Sequence, residues 1–290
     1  MAGATAAMDA SQRVTAHVNK LSTLSQRLLV AILLVPPGVG LIVLGGWAFG
    51  LFVSLVLAVA AWEYWRLFRA GGYRPSAFLL VGGTLALSLT RVAWEFVPAE
   101  ALLAAAVMLA MAVEVFAYPK SEKTAAVDFN INLGGLLYLG WLGSYLISLR
   151  ALPDGQWWFL VVMPTIWLCD AGAYLVGSRI GRHRLAPLIS PKKSWEGYLA
   201  GIVTGMLGAA GLAALWHLQA PAVTVEKALW VAAVVATLSP LGDLGESLLK
   251  RGFGVKDSSH ILPGHGGVLD RIDSWLWAAP LGYYLILWML

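Results

Sequence analysis

The amino-acid sequence predicts an all-α polytopic membrane protein with about nine transmembrane helices, a cytoplasmic N-terminus and a periplasmic or external C-terminus. The first observation is composition: 59% of the 290 residues are hydrophobic and 12% are charged, whereas soluble domains carry about 25% charged residues. The second is a series of apolar runs close to the ~20 residues that a helix needs to cross the hydrocarbon core. The third is the alternation of basic residues between the ends of those runs.

Nine apolar runs are the candidate spans. They lie near 28–46, 48–67, 76–95, 100–117, 131–150, 157–178, 197–217, 228–249 and 272–290. Residues 1–25 are polar and the first apolar run starts only at Leu28, so we interpret them as a cytoplasmic tail and not as a secretory signal. After this tail, residues 26–155 contain about five spans and residues 156–290 contain about four.

The basic residues predict the orientation of the spans. With the N-terminus inside, every Lys and Arg except Arg91, Arg150 and Lys227 lies on the cytoplasmic side. Cytoplasmic loops carry an excess of Lys and Arg, and a wrong number of spans would scramble this asymmetry. Two cytoplasmic loops, near 179–196 and 250–271, hold most of the polar motifs. We therefore expect the function of the protein to lie on the cytoplasmic side.

Acidic residues lie inside two of the predicted spans. Asp170 is about two turns from the cytoplasmic end of its apolar run, while Asp243, Glu246, Ser247 and Lys250 are spaced to form one polar stripe on a helix. A charged side chain at mid-bilayer costs about 2.5–3.5 kcal/mol or more, so such residues face a cavity, a partner or an ion. Ion pairs that simply hold helices together would also explain both patterns.

Two lysines immediately precede the seventh span. The segment 190–197 places Lys192 and Lys193 after a proline and before Ser194 and Glu196. Lysine ammonium groups and backbone donors can neutralise a polyphosphate. Ordinary cytoplasmic positive charge, with Ser194 as a helix N-cap, is the alternative.

A glycine-rich turn, residues 263–267, precedes the last span. Glycines let the backbone approach a ligand closely. His265 either donates a hydrogen bond to a phosphate or is a loop residue held by backbone hydrogen bonds. The turn leads into a predicted helix whose first turn carries Asp270 and Asp273. These carboxylates can complement the helix dipole, or they can hold Mg²⁺ together with substrate phosphates.

Six stretches together carry a family resemblance: 170–174, 190–197, 247–251, 256–257, 262–267 and 270–273. They resemble the motifs of the phosphatidate cytidylyltransferase family, and the resemblance covers roughly residues 160–290. Ser194 stands where many relatives have threonine, which keeps the hydroxyl group. The resemblance implies an enzyme that transfers a nucleotidyl group from CTP to phosphatidic acid, giving CDP-diacylglycerol and pyrophosphate in phospholipid biosynthesis.

The family further implies a homodimer in the cell inner membrane, with its active site facing the cytoplasm, and Mg²⁺ paired with a monovalent cation such as K⁺. Residues 156–290 would then be the catalytic region, and Asp243 and Asp270 would hold the metal. We expect CTP, phosphatidic acid and the bilayer as partners, and no nucleic acid. The expected catalytic residues are Asp243, Lys250, Lys256, Asp270 and Asp273. The expected substrate-binding residues are Asp170, Ser190, Lys192, Lys193, Arg251, Gly264, His265, Gly266 and Gly267.

Two other functions remain open on the sequence. A CTP-dependent lipid kinase would transfer the γ-phosphoryl group instead. A membrane transporter can also have acids inside its spans. Two related halves with broken helices would favour a transporter. The polar residues here instead cluster on one side of the membrane. The sequence assigns no role to Glu63, Glu114 or Asp128 in the first region.

Overall fold

The computed structural model of the chain describes residues 35–94, 97–262 and 266–290, so the predicted tail and residues 263–265 lie outside the described part. The described residues form a helical bundle with one two-stranded sheet. In chain order the elements are α1 (Val35–Leu44), α2 (Gly46–Ala70), a π-helical turn (Phe78–Gly82), α3 (Gly83–Trp94), α4 (Val97–Ser121), α5 (Ala125–Gly135), a second π-helical turn (Leu136–Leu142), α6 (Gly143–Ala151), α7 (Gly155–Ile180), β1 (Arg184–Ala186), β2 (Ser190–Ser194), α8 (Trp195–Trp216), α9 (Val225–Leu238), α10 (Pro240–Gly252), α11 (Leu269–Ile272) and α12 (Trp275–Met289).

Six helical segments are long and apolar enough to cross a membrane. They are Gly46–Ala70, Glu100–Pro119, Ala125–Ala151, Gly155–Ile180, Trp195–Trp216 and Val225–Gly252. These segments confirm an all-α polytopic membrane protein. The other predicted spans coincide with three shorter stretches, Val35–Leu44, Phe78–Trp94 and α12. The count of nine spans and the orientation of the termini therefore stay predictions.

Two glycines lie at the junction of α1 and α2. Gly45 and Gly46 have φ angles of 64° and 50°, a region that glycine enters at little cost. The end of α1 is covered by Arg150, whose guanidinium donates to the carbonyl oxygens of Ile42 at 2.5 Å and Val43 at 3.1 Å. This contact joins the first helix to the end of α6.

The predicted span 228–249 is two helices in the structure. Pro240 has no backbone N–H to donate and opens α10 after Ser239, which is the position in a helix that proline tolerates. The predicted helix after the glycine turn is also divided. Asp270 lies on the single turn α11, while Asp273 lies in the turn before α12 and accepts a hydrogen bond from Ser274 N at 2.6 Å. These breaks place Asp243 and Glu246 on α10, Asp270 on α11 and Asp273 in the turn before α12.

Small residues let α7 and α8 pack closely. A Cβ atom at Gly172 would lie 1.9 Å from Thr204 Oγ1, and one at Gly201 would lie 2.7 Å from the carbonyl oxygen of Cys169. Close approach through small residues is typical of helix packing in membranes. Gly172 is thus a packing residue, and these contacts hold α7, which carries Asp170, against α8.

One main hydrophobic core joins both regions of the chain. It includes Leu57 and Tyr64 from α2, Trp158 from α7 and Leu276 from α12, all buried. The ring of Phe49 also packs edge-on against Phe159, with centroids 5.3 Å apart. The first region therefore packs directly against the helices that carry the motifs.

Candidate functional site

The lysine-containing segment forms a β-hairpin, which the sequence did not predict. Strand β1 pairs with β2 in antiparallel orientation, and Ser194 Oγ accepts from Gly197 N at 3.2 Å as the N-cap of α8. Glu196 accepts hydrogen bonds from the backbone N–H groups of Arg182 and His183 at 3.1 and 3.2 Å. The predicted N-cap is confirmed, and these bonds hold the hairpin against the ends of α7 and α8.

A cavity of about 520 Å³ lies between α7, the hairpin and the start of α8. Its volume falls in the range of small-molecule sites, about 300–1,000 Å³. Four predicted substrate-binding residues line it: Asp170, Ser190, Lys192 and Lys193. Arg184 and Tyr174 line it as well. Three cationic side chains in one cavity suit an anionic ligand such as a polyphosphate.

Lys193 connects this cavity with the stripe on α10. Its Nζ lies 2.5 Å from Asp243 Oδ2, while Ser247 Oγ donates to Asp243 Oδ1 at 3.2 Å. Pro240, at the start of α10, also lines the cavity. Asp170 interacts electrostatically with both Lys193 and Asp243. The structure therefore brings the predicted acids of α7 and α10 together around one lysine.

Lys250 forms a second contact between a lysine and acidic groups. Its Nζ pairs with Glu246 on the same helix and lies 2.6 Å from Asp270 Oδ1 on α11. All three side chains are less than 10% exposed. The predicted polar stripe on α10 is confirmed, and the structure buries Lys250 between two carboxyl groups. We call Asp170, Asp243, Glu246, Asp270 and Asp273, with Lys193 and Lys250, the acidic centre.

Asp270 is held by the polypeptide on several sides. Its Oδ2 accepts from Gly267 N at 2.7 Å and from Ser258 N at 3.0 Å. Burial by itself raises the pKa of Asp270, but interactions with Glu246 and the Lys250 ammonium, together with the hydrogen bond from the Gly267 N–H, outweigh burial and lower it to about 2. Gly266 has a φ of 84°, and a Cβ there would lie 2.8 Å from Asp270 Oδ2. The glycines therefore allow the loop backbone to approach this carboxylate.

Other predicted site residues lie farther out or outside the described residues. Arg251 is exposed and donates from Nη1 to the carbonyl oxygen of Val255 at 2.9 Å, and Lys256 is exposed as well. Neither is among the residues that line the cavity. Gly264 and His265 lie outside the described residues. Their predicted roles stay predictions.

Two residues of the first region reach the site, and the sequence interpretation missed both. Glu63 of α2 is fully buried and accepts a hydrogen bond from the N–H of Leu269, which directly precedes Asp270 on α11. Tyr138 of the second π-helical turn interacts electrostatically with Asp273, Glu246 and Asp243. Its buried hydroxyl has no hydrogen-bond partner in the described part of the chain. For Glu63, the signal available in the sequence was an acid within an apolar span, because such a residue is a functional candidate by default.

The donor atoms of the acidic centre suit a hard divalent cation. Within residues 35–94, 97–262 and 266–290, no three His, Cys, Asp or Glu side chains are grouped closely enough to form a complete metal site. However, the acidic centre holds more carboxyl groups than lysines, and Glu246 Oε1 is buried without a hydrogen-bond partner among the described residues. Mg²⁺ takes one or two carboxylates, with water and substrate phosphate as its other ligands. A metal held by Asp243 and Asp270 stays a prediction.

Comparison with known proteins gives extensive matches. The model of the cytidylyltransferase family matches residues 25–289. The phosphatidate cytidylyltransferase of Synechocystis sp. is 34% identical over an alignment of 301 positions, which covers 92% of this chain and 97% of that protein. The phosphatidate cytidylyltransferase of Pseudomonas aeruginosa is 38% identical over 272 residues, covering 91% of this chain and 97% of that protein.

Proposed function

The chain belongs to the cytidylyltransferase family, and we propose that it transfers the cytidylyl group of CTP to phosphatidic acid, giving CDP-diacylglycerol and pyrophosphate. The observation that carries this proposal is similarity along 97% of the length of two relatives named phosphatidate cytidylyltransferase. The basic cavity beside an acidic centre supports the proposal, because such a transfer brings several anionic groups together. Neither the lipid kinase nor the transporter is favoured by these matches.

The proposed reaction is a displacement at phosphorus. A phosphate oxygen of phosphatidic acid forms a bond to the α-phosphorus of CTP, the bond from that phosphorus to the bridging oxygen breaks, and pyrophosphate leaves with the electron pair. The attacking oxygen is already anionic, so no strong general base is required. The barrier is mainly electrostatic because anionic groups must meet, and positioned cations lower such a barrier.

Cationic side chains of the chain itself would bind the phosphates. Lys192 and Arg184, which both line the cavity, would bind the triphosphate of CTP. Lys193 stands between the cavity and Asp243, so it would orient that carboxylate and the phosphate together. Arg251 and Lys256 are exposed and would meet CTP or the lipid phosphate. The glycine turn 264–267 would close over the nucleotide.

The proposed cofactor is Mg²⁺, with a monovalent cation such as K⁺ beside it. Bound Mg²⁺ would neutralise and align the phosphate oxygens of the reacting groups. Asp243 and Asp270 would hold it, while Asp273 and Glu246 would orient those ligands and their waters. In this structure Lys193 and Lys250 hold the same two carboxylates in place.

The membrane setting follows from the substrates. Phosphatidic acid can present its headgroup from a leaflet without leaving the bilayer, which suits an enzyme built from membrane-spanning helices. We propose that the site faces the cytoplasm, where CTP is available, that the membrane is the cell inner membrane, and that the protein is a homodimer. The positive charge of the loops supports the orientation.

Labelled CTP tests the proposed function. The purified protein in bilayer discs would receive phosphatidic acid, Mg²⁺ and CTP labelled at either the α or the γ phosphate. We expect the α label in the lipid product and the γ label in pyrophosphate. Transfer of the γ label to lipid would instead establish a kinase, and absence of label from lipid in both reactions would overturn the proposal.

A further inference from the structure

Glu63 is a carboxylate in the middle of an apolar helix of the first region. It lies on α2 between Trp62 and Tyr64, and its side chain is fully buried. A buried carboxylate is costly unless its oxygen atoms accept hydrogen bonds. The hydrogen-bond partners of Glu63 therefore show which part of the chain this carboxylate holds in position.

All partners of Glu63 among the described residues lie between positions 258 and 269, about 200 residues away in sequence. Before the glycine turn, Ser259 Oγ donates to Glu63 Oε1 at 2.5 Å, and Ser258 Oγ lies 3.2 Å from Oε2. After the turn, Val268 N donates to Oε1 at 3.0 Å and Leu269 N donates to Oε2 at 2.7 Å. The Glu63 carboxylate thus binds the residues on both sides of the glycine turn to α2.

The same loop also supports Asp270. Ser258 Oγ lies 3.0 Å from Asp270 Oδ2, so this hydroxyl is shared between Glu63 and Asp270. Leu269, which donates to Glu63, directly precedes Asp270. Any shift of the loop away from Glu63 therefore moves the Asp270 carboxylate.

Gly267 shows how closely the loop approaches Glu63. A Cβ atom at this position would lie 2.0 Å from Ser258 Oγ and 2.8 Å from both carboxylate oxygens of Glu63. No side chain fits there without displacing the contact. The need for glycine at 267 thus has a local cause in the position of Glu63.

We propose that Glu63 is a positioning residue that sets the place of Asp270 in the acidic centre through the loop 258–269, and this inference rests on the proposed function. Glu114 and Asp128, the other buried acids among the described residues of the first region, contact different groups. Glu114 accepts from Asn132 Nδ2 at 3.0 Å, and Asp128 accepts from Arg74 N at 2.7 Å. Glu63 is the buried acid through which the first region acts on the site.

Glu63→Gln tests this role with little change in volume. The amide group of glutamine would face N–H and O–H donors, so the loop contacts weaken. We expect kcat to fall about 10- to 100-fold, as for other residues that support metal ligands, and the Mg²⁺ concentration for half-maximal activity to rise about 10-fold. Glu114→Gln is the matched control, with both values close to wild type. An unchanged Mg²⁺ requirement in Glu63→Gln would show a merely structural role and overturn the inference.

Two further measurements separate this inference from the proposed function. Ser259→Ala removes one partner of Glu63, and its loss of kcat should not add to that of Glu63→Gln, because both act through one contact. Additive losses would contradict the proposal. Hydrogen exchange at Val268 and Leu269 needs no activity: we expect faster exchange in Glu63→Gln and not in Glu114→Gln. Unchanged exchange overturns the positioning role, whereas a wild-type enzyme that makes no CDP-diacylglycerol overturns only the proposed function.

Discussion

Carboxylates in the two regions of the molecule have different partners. In residues 35–151, Glu63 and Asp128 accept hydrogen bonds from backbone N–H groups, and Glu114 accepts from a side-chain amide. In residues 155–290, Asp243 and Asp270 lie against the ammonium groups of lysines, and Asp270 accepts from backbone N–H groups as well. Both regions place acids in apolar surroundings, but the second region concentrates opposite charges in one place.

The difference teaches which acids can take part in charge-dependent chemistry. A carboxylate that accepts only from neutral donors fixed in the fold has a stable position, and it has no cationic partner that a metal ion could replace. A carboxylate beside a lysine is already in a site that favours cations, so a metal ion or a phosphate can compete for either member of the pair. The first region therefore serves as a frame for the second, and Glu63 connects the two.

The largest expected effect is on enzymatic activity, and it should distinguish a substitution at Asp243 from one at Asp128. Asp243→Asn should lower CDP-diacylglycerol synthesis by about 1,000-fold or more, because a bound metal supplies several kcal/mol of transition-state stabilisation. The protein should remain inserted and folded. Asp128→Asn, at a buried acid far from the acidic centre in chain position, should keep most of its activity per folded molecule. Full activity in Asp243→Asn would refute the metal assignment.

The next effect concerns the buried lysine. Lys250→Met leaves Glu246 and Asp270 buried without their shared cation, and breaking a buried pair in this way costs about 3–5 kcal/mol. We expect a lower unfolding temperature and about a 100-fold loss of activity, since Asp270 also loses its orientation. Arg251→Met, on the adjacent exposed residue, provides the stability control. Equal unfolding temperatures for the two variants would contradict the structural role of Lys250.

A smaller effect is expected in the cavity. Lys192→Ala should raise the KM for CTP about 10-fold, because a charged hydrogen bond to phosphate contributes about 1.5–3 kcal/mol and this side chain is partly solvated. The kcat should change less than KM. Lys227→Ala, outside the cavity lining, should leave both constants unchanged. Steady-state kinetics at several CTP concentrations checks this prediction, and an unaltered KM in Lys192→Ala removes Lys192 from the triphosphate site.

The smallest expected effect concerns Tyr138, the second residue of the first region that reaches the site. Tyr138→Phe removes a buried hydroxyl that has no partner among the described residues, so stability should hold or rise slightly. Activity should fall only about 2- to 5-fold, within the range of one neutral hydrogen bond to a bound group. Tyr64→Phe is the contrasting variant, because Tyr64 OH donates to the Ile131 carbonyl at 3.3 Å. It should lose stability but keep its activity per folded molecule.

Helical spacing was enough to predict the polar stripe on α10, because side chains at i, i+3, i+4 and i+7 share a face in any helix. Apolar length likewise predicted the spanning helices. The pairing of Lys250 with Asp270 was not predictable, since it depends on the path of a loop of irregular backbone. Glu63 was harder still, because its partners lie about 200 residues away and its local sequence shows only an acid among apolar residues.

The most direct test of the acidic centre is a measurement of metal binding that does not depend on turnover. Mn²⁺ prefers the same oxygen ligands as Mg²⁺ and can be followed by electron paramagnetic resonance. We expect the purified wild-type protein and Asp128→Asn to bind Mn²⁺ with similar affinity, and Asp243→Asn and Asp270→Asn to bind it at least about 10-fold more weakly. Equal Mn²⁺ affinity in the wild type, Asp243→Asn and Asp270→Asn would contradict the account.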